Sequence, residues 1–184
     1  MTLPHRDWRL VVLDRDGTLI TSPPEGDYWL DPDDVTLVDG AEESVRLLSE
    51  AGLALAVATN QRCVALGLAT RSDVDAVNRR VVELLGTAGR EIRWYVCPHA
   101  LDACRCRKPA PGLIDQAVAD AGVPHRSAVV VGDRESDVLA GLPGDLGRVL
   151  ITASPSPTTV AHEVAADLPA AVARILASGS RSRT

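Results

Sequence analysis

Lysine, phenylalanine and methionine are nearly absent from this sequence of 184 residues. It contains a single lysine, Lys108, a single methionine and no phenylalanine, whereas lysine and arginine together number 19. A coding bias that replaces lysine by arginine wherever either will serve accounts for this composition. On that interpretation Lys108 marks a position where arginine would not serve, because a compact ammonium and a planar guanidinium are not interchangeable.

Long apolar runs and an excess of positive charge are absent too. The apolar runs have strand length, well short of the ~20 residues that cross a bilayer, and His5, Arg6 and Asp7 interrupt any secretory leader. The net charge of −6 argues against a nucleic-acid partner, whose phosphates require a basic surface. We therefore expect a cytoplasmic protein that has neither a membrane nor a nucleic acid as its partner.

The order of the apolar segments predicts an α/β fold. Strand-like runs rich in Val, Leu and Ala alternate with helical patterns, which is typical of a doubly wound, mainly parallel sheet of Rossmann type. The strand-like runs are residues 10–13, 53–58, 92–96, 128–131 and 149–151. The helical patterns are residues 41–51, 71–85, 111–121, 135–142 and 158–176. We expect one domain over residues 1–177 and a disordered tail over residues 178–184.

The segment from Val11 to Leu19 carries the most informative motif. Its apolar run ends in Asp14 and Asp16, which Gly and Thr follow. Two neighbouring carboxylates repel each other unless a cation lies between them, and Mg²⁺, which prefers oxygen ligands, is the usual one. Ligands of open α/β sheets bind beyond the carboxyl ends of the strands, where this pair is expected. The DxDGT pattern resembles the nucleophile motif of the haloacid dehalogenase (HAD) superfamily, most of whose members are phosphatases.

The next three predicted strands also lead into polar residues. These are Thr59 and Asn60 after the second strand, Arg107 and Lys108 in the loop after the third, and Asp133, Arg134 and Asp137 after the fourth. A single loop acid is often only a helix cap, but four strand ends that converge on acids, a hydroxyl, an amide and cations indicate a site. Phosphoryl transfer suits all of these residue types, because its catalysis is mostly positioning and neutralisation of charge.

Phosphoryl transfer assigns a role to each of these side chains. Asp14 is the expected nucleophile, which forms an aspartyl-phosphate, and Asp16 is the expected general acid and then base. Mg²⁺ would be held by Asp14, Asp133 and the backbone carbonyl of Asp16. Thr59, Asn60, Arg107 and Lys108 are expected on the phosphate oxygens. Asp137 and Arg134 are expected behind them, where Asp137 would orient metal-bound waters or Lys108.

A second cluster of ligand-type residues lies within the predicted loop 97–106. Cys97, His99, Cys104 and Cys106 offer three thiols and an imidazole, a set that suits a tetrahedral structural Zn²⁺ site. The alternatives are a disulfide or free thiols, but a cytoplasmic chain disfavours disulfides and neither alternative requires the histidine. Metal binding would supply folding energy to a loop with little apolar content. Cys63 lies outside this spacing and is expected to be a free thiol.

The motifs together indicate a narrower relationship. The patterns CPH…CxCRKPxPG, DRDGT, TNQ and VGDR resemble, over roughly residues 8–152, the zinc-containing D-glycero-D-manno-heptose 1,7-bisphosphate phosphatases and the related histidinol-phosphate phosphatase domains. The resemblance implies a capless, monomeric, Mg²⁺-dependent phosphatase of carbohydrate metabolism that acts on a small phosphorylated metabolite. The heptose bisphosphate is the first choice of substrate, and residues 38–40 and 109–112 resemble the heptose enzymes more closely. Histidinol phosphate is the alternative, because residues 21–30, residues 132–134 and the short spacer before Cys104 resemble the histidinol-phosphate domains more closely.

Three features leave the interpretation open. After TNQ the heptose enzymes usually have small residues and then Arg-Gly, whereas this chain has Arg-Cys-Val-Ala-Leu-Gly over residues 62–67. The arginine before the glycine is missing, so Arg62 either compensates for it or is a surface charge. Tyr28 and Trp29 form either a wall for the substrate or staples for their own loop. A phosphoaccepting signalling domain also places Asp and Lys at strand ends, but it requires neither Asp16 as acid and base nor the cysteine loop.

Overall fold

A parallel sheet forms the centre of the computed structural model, which describes residues 2–179. Six strands in the order β3-β2-β1-β4-β5-β6 make up this sheet. The strands are β1 Leu10–Leu13, β2 Ala54–Asn60, β3 Arg93–Cys97, β4 Ala128–Gly132, β5 Gly147–Ile151 and β6 Glu163–Ala165. The helices are α1 Ala41–Glu50, α2 Arg71–Leu84, α3 Gly86–Gly89, α4 Gly112–Ala121, α5 Glu135–Ala140 and α6 Leu168–Ser178. The α/β, doubly wound fold class predicted from the sequence is confirmed.

Alternate side chains of β1 belong to two separate apolar layers. Val11 and Leu13 pack into a core with α1, α2 and α6, whereas Leu10 and Val12 pack into a core with α4 and α5. Successive side chains of a strand point to opposite faces, so a strand covered on both sides must be apolar at every position. This requirement explains the unbroken apolar run that precedes Asp14.

The strand order places β1 at the point where the chain reverses its direction of winding. β1 pairs with β2 on one side and with β4 on the other. The loops that follow these strands therefore diverge to opposite faces and leave a crevice beyond their carboxyl ends. Asp14 follows β1 directly and extends its pairing, because its N–H donates to the carbonyl of Val131 at 2.9 Å.

The predicted helix over residues 158–176 is wrong in its first half. Residues Glu163–Ala165 form β6, which pairs in parallel with β5. The helix begins only at Leu168, because the Asp167 side chain accepts a hydrogen bond from the N–H of Ala170 at 2.8 Å and caps it. The helix predicted over residues 71–85 is confirmed as α2, and the short α3 follows it.

The predicted tail begins too early. Ser178 is the last residue of α6 and is buried. Its hydroxyl accepts a hydrogen bond from the indole N–H of Trp8 at 3.0 Å. Gly179 pairs with Arg6, and residues 180–184 lie outside the described residues. No helix within residues 2–179 has both the length and the apolar character needed to cross a membrane. The monomeric state and the cytoplasmic location stay predictions.

Candidate active site

Asp14 lies at the bottom of a cleft of about 910 Å³ beyond the carboxyl end of β1. The side chain is almost completely buried, at 8% exposure for the residue. Burial raises the pKa of its carboxyl group to about 7, against the opposing effect of the Lys108 charge. Removal from water disfavours the charged form of a carboxyl group. The ionised form of Asp14 therefore depends on nearby positive charge.

Lys108 supplies that charge from the loop between β3 and α4. Its Nζ lies 2.5 Å from Asp14 Oδ1 and 2.6 Å from Asp137 Oδ1, and it also donates to the carbonyl of Ala58 at 2.6 Å. Burial would lower the pKa of this lysine, but the carboxylates of Asp137 and Asp14 outweigh burial and raise it. Three acceptors around one ammonium suit the tetrahedral donors of lysine, which explains why this position keeps the only lysine in the chain.

The carboxylate of Asp137 contacts both Lys108 and the start of α5. Its Oδ1 pairs with Lys108, and its Oδ2 accepts a hydrogen bond from the N–H of Arg134 at 3.0 Å, which caps α5. The close approach of this carboxylate requires glycine at position 132, where an added Cβ would lie 2.3 Å from Asp137 Oδ2. Of the two roles that the sequence suggests for Asp137, these contacts match the orientation of Lys108.

Asp133 completes a group of three carboxylates. Oxygens of Asp14, Asp133 and Asp137 all lie within 4.8 Å of one another. Burial, followed by the charge of Asp137, raises the pKa of Asp133 to about 6. Its Oδ1 is buried without a hydrogen-bond partner, and such an oxygen is costly unless it meets a donor or a cation. The group therefore has the chemistry of a site for a hard divalent cation.

Thr59 and Asn60 end β2 beside Lys108 but differ in what they can do. The Thr59 hydroxyl accepts from the Gln61 amide at 2.8 Å and keeps its own proton to donate. Asn60 donates to the carbonyl of Lys108 at 3.0 Å and accepts from its N–H at 3.1 Å. The Asn60 amide thus binds the Lys108 backbone through both its nitrogen and its oxygen. The sequence predicted a contact with the phosphate and did not predict this one.

Arg107 and Arg134 line the same cleft. One guanidinium nitrogen of Arg107, Nη1, is buried without a partner, and an unpaired donor of this kind favours an anion beside it. The Arg134 side chain is 71% exposed and lies 3.9 Å from Asp133. Arg107 thus lines the cleft with one guanidinium nitrogen unpaired, whereas the Arg134 side chain is largely exposed.

The loops around the cleft contain the residues whose roles the sequence leaves open. Tyr28 lines the cleft, whereas the indole N–H of Trp29 donates to the carbonyl of Thr21 at 2.8 Å and staples the loop. Arg62 is not among the cleft-lining residues. Cys63 is a free, fully buried thiol that packs against Val74 and Val96.

Three residues that the sequence did not single out surround Asp16. The buried guanidinium of Arg15 holds the Asp16 carboxylate through Nε at 3.0 Å and Nη2 at 3.1 Å. Gln61 donates to Asp16 Oδ2 at 2.8 Å, and Asn78 of α2 accepts from Arg15 Nη1 at 2.9 Å. The sequence contains one indication of the position of Arg15. Successive side chains of an extended segment point in opposite directions, so a residue between two cleft-facing acids should point into the core.

Cys97, His99, Cys104 and Cys106 meet in a compact group beside the cleft. Their ligand atoms lie within 4.8 Å of one another, and the separations between hydrogen-bonded pairs run from 3.2 to 3.6 Å. These distances are too long for a disulfide, whose sulfurs lie about 2.0 Å apart. They approach the edges of about 3.8 Å of a tetrahedron with Zn–S distances of about 2.3 Å. Burial and then hydrogen bonds to Cys104 and Cys97 raise the pKa of Cys106 to about 12, so the group disfavours three thiolates without a cation.

Comparisons with known proteins agree with this geometry. The HAD-hydrolase-like family model matches residues 105–178, the segment that contains Lys108, Asp133 and Asp137. The D-glycero-beta-D-manno-heptose-1,7-bisphosphate 7-phosphatase of Yersinia pestis is 31% identical over 166 residues, which are 85% of this chain and 87% of the relative. The enzyme of the same name from Pseudomonas aeruginosa is 35% identical over 144 residues, which are 77% of this chain and 80% of the relative.

Solved structures show the same architecture. The D,D-heptose 1,7-bisphosphate phosphatase of B. bronchiseptica, in complex with magnesium and phosphate, has a TM-score of 0.81 at 25% identity and covers 92% of this chain and 98% of its own. A HAD-like phosphatase from Mesorhizobium loti has a TM-score of 0.78 at 26% identity, with coverage of 100% and 92%. The chain is therefore a phosphatase with the HAD-like fold, and it belongs to the D-glycero-D-manno-heptose 1,7-bisphosphate phosphatase family.

Proposed function

We propose that this chain is a Mg²⁺-dependent phosphomonoesterase that removes the 7-phosphate of D-glycero-D-manno-heptose 1,7-bisphosphate. The observation that carries the proposal is the placement of Asp14 at the bottom of the cleft, with Lys108 and two further carboxylates around it. The substrate is the one named for the relatives that match most of the chain.

In the first half of the reaction, Asp14 is the nucleophile. An oxygen of its carboxylate attacks phosphorus, the bond from phosphorus to the sugar oxygen breaks, and Asp16 gives a proton to that leaving oxygen. In the second half, a water molecule attacks the aspartyl-phosphate and its proton passes to Asp16. The bond between Asp14 and phosphorus then breaks, which releases phosphate and restores both side chains.

The charged and polar groups of the cleft stabilise the transferred phosphoryl group. The Lys108 ammonium would act on the phosphoryl group through its positive charge, since its three N–H groups already donate to Asp14, Asp137 and Ala58. The Thr59 hydroxyl would donate to a phosphate oxygen, and Arg107, which lines the cleft, has one guanidinium nitrogen without a partner. Asn60 acts indirectly, because it fixes the backbone of Lys108 on both sides. Asp137 acts in the same way through the ammonium itself.

Mg²⁺ fits the carboxylates of Asp14 and Asp133 because their oxygens are close together and one, Asp133 Oδ1, is buried without a partner, whereas Asp137, the third member of the group, is paired with Lys108. Asp14, Asp133 and the backbone carbonyl of Asp16 would hold the ion. When bound, the ion supplies positive charge that cancels the repulsion between the carboxylate and the phosphate. Zn²⁺ fits the separate set of three thiols and an imidazole, where it would fix the loop that ends in Arg107 and Lys108.

The test is a comparison of phosphate release from heptose 1,7-bisphosphate and from histidinol phosphate, with and without Mg²⁺. We expect the parent enzyme to prefer the heptose bisphosphate and to require Mg²⁺. Asp14→Asn and Asp16→Ala should abolish phosphate release while the circular dichroism spectrum stays unchanged. Asp7→Asn, which removes an exposed acid ahead of β1, is the matched control and should keep the parent rate.

The outcomes separate the parts of the proposal. A preference for histidinol phosphate would overturn the substrate and leave the mechanism in place. Near-parental activity of Asp14→Asn would overturn the mechanism. A stable phosphoprotein without turnover in the parent would instead indicate a phosphoaccepting domain.

A further inference from the structure

The side chain of Arg15 is the most deeply buried charge in the described part of the chain that touches the site. The residue is 0% exposed, although it stands between the two acids of the motif that face the cleft. Burying a guanidinium is unfavourable unless every one of its donors is directed at an acceptor. The hydrogen-bond partners of the Arg15 guanidinium therefore indicate its role.

All three nitrogens of this guanidinium are engaged, and two of them bind the same carboxylate. Nε and Nη2 donate to Oδ1 and Oδ2 of Asp16 at 3.0 and 3.1 Å, which is the bidentate geometry that only arginine offers. Nη1 donates to Asn78 Oδ1 at 2.9 Å, and Asn78 is itself 5% exposed on α2. The fork that holds Asp16 is thus anchored on a helix of the core.

The two oxygens of Asp16 are left in different states. Oδ2 accepts from Arg15 Nη2 and, at 2.8 Å, from Gln61 Nε2, whereas Oδ1 accepts only from Arg15 Nε. A carboxylate oxygen has about two acceptor sites. Oδ1 therefore keeps one site open, and this oxygen is the one that can exchange a proton with a group in the cleft.

We propose that Arg15, anchored by Asn78, is a positioning residue that holds Asp16 with Oδ1 presented to the leaving-group oxygen and to the attacking water. The inference rests on the proposed role of Asp16 as acid and base. Arg15 does not touch the substrate, because its guanidinium is buried behind Asp16. Its effect on the reaction passes through the orientation of that one carboxylate.

The first test compares Arg15→Met with Arg15→Lys on two substrates. A sugar phosphate needs a proton on its leaving oxygen, whereas p-nitrophenyl phosphate leaves as a stable anion and does not. We expect Arg15→Met to lower kcat for the sugar phosphate by about 10²-fold or more, the range of general acid–base catalysis, with little change in KM. With p-nitrophenyl phosphate it should give a burst of one equivalent at the parent rate, followed by slow turnover. Arg15→Lys, which restores the charge but not the fork, should recover part of kcat.

The second test asks whether Arg15 acts through Asp16. Adding Arg15→Met to Asp16→Asn should not lower further the slow turnover of p-nitrophenyl phosphate that remains in Asp16→Asn, because residues that act as a unit are not additive. Asn78→Leu removes only the anchor of the guanidinium and should lower kcat by less than Arg15→Met does. Arg79→Met makes a change like that of Arg15→Met at the exposed neighbour of Asn78 and should keep the parent rate.

The results distinguish this inference from the proposed function. If the parent enzyme releases phosphate but Arg15→Met keeps its kcat, or loses the burst as well as the turnover while folded, or adds its full effect to Asp16→Asn, the positioning role is overturned. If Arg15→Met does not fold, Asn78→Leu decides by the same burst and turnover measurements. If the parent enzyme itself has no Mg²⁺-dependent activity, the proposed function is overturned, and the inference about Arg15 is overturned with it.

Discussion

Replacing Lys108 by Met removes one buried charge that two carboxylates and a carbonyl share. Its Nζ lies 2.5 Å from Asp14 and 2.6 Å from Asp137, and the residue is 4% exposed. Loss of one partner from a buried ion pair destabilises a protein by about 3–5 kcal/mol, because the remaining charge is left without compensation. At a urea dependence of about 2 kcal/mol per M, this loss lowers the unfolding midpoint by about 2 M.

The size of this effect depends on pH in a direction that the structure determines. Burial already raises the folded pKa of Asp14 from 3.8 to about 7, and the Lys108 charge opposes that rise. Without Lys108 the folded pKa rises further, so the folded variant gains stability from protonation of Asp14 at low pH and loses it as the pH increases through that value. We therefore expect the full loss of stability at pH 8 and a smaller loss at pH 5.5.

The assay is urea unfolding, without added Mg²⁺, at both pH values. Lys108→Met is compared with Arg79→Met, which removes an exposed charge and should unfold like the parent protein. A loss below about 1 kcal/mol at pH 8, the size typical of an exposed ion pair, would refute the reasoning. So would a loss that grows as the pH falls.

Three further predictions concern the metals and the turn after Asp16. Cys104→Ser should lower the zinc content, measured by elemental analysis, and the thermal midpoint together, and unchanged values of both would contradict the zinc site. Gly17→Ala should abolish Mg²⁺-dependent activity and lower stability by about 1 kcal/mol or more, since its φ is +86° and a Cβ would lie 2.3 Å from Asp133. Titration calorimetry should find weaker Mg²⁺ binding as the pH falls from 8 to 5.5. Protons compete with the ion for Asp14 and Asp133, whose pKa values are raised to about 7 and about 6. An affinity that is independent of pH would count against these two ligands.

The sheet could be predicted from the sequence because each long strand combines a local apolar pattern with a polar end. β6 could not be found in this way, since its three residues lie within an apolar stretch that also fits a helix. The true start of the last helix did leave a local signal, in Asp167 as its cap and Pro169 in its first turn. That signal was outweighed by the longer apolar pattern around it.

The site residues divide in the same way between local and distant information. Asp14, Asp133 and Lys108 follow strand ends, and the topology alone brings strand ends together. The arrangement around Asp16 depends instead on Asn78, which is 63 positions away from Arg15 and lies on a helix whose exact rotation no local pattern gives. The contact of Asn60 with the Lys108 backbone is equally invisible in the sequence, because it joins the side chain at the end of β2 to main-chain atoms 48 positions further along.

Asp137 couples the position of the Lys108 ammonium to the folding of α5. The same carboxylate begins α5 and neutralises Lys108, so the first turn of α5 cannot fray without releasing the ammonium from one of its partners. Local opening of a short helix, usually a minor event at a protein surface, would here disperse the electrostatic centre of the site. The amide protons of this turn should therefore exchange with solvent in step with loss of activity, which makes their protection a direct measure of the competent enzyme.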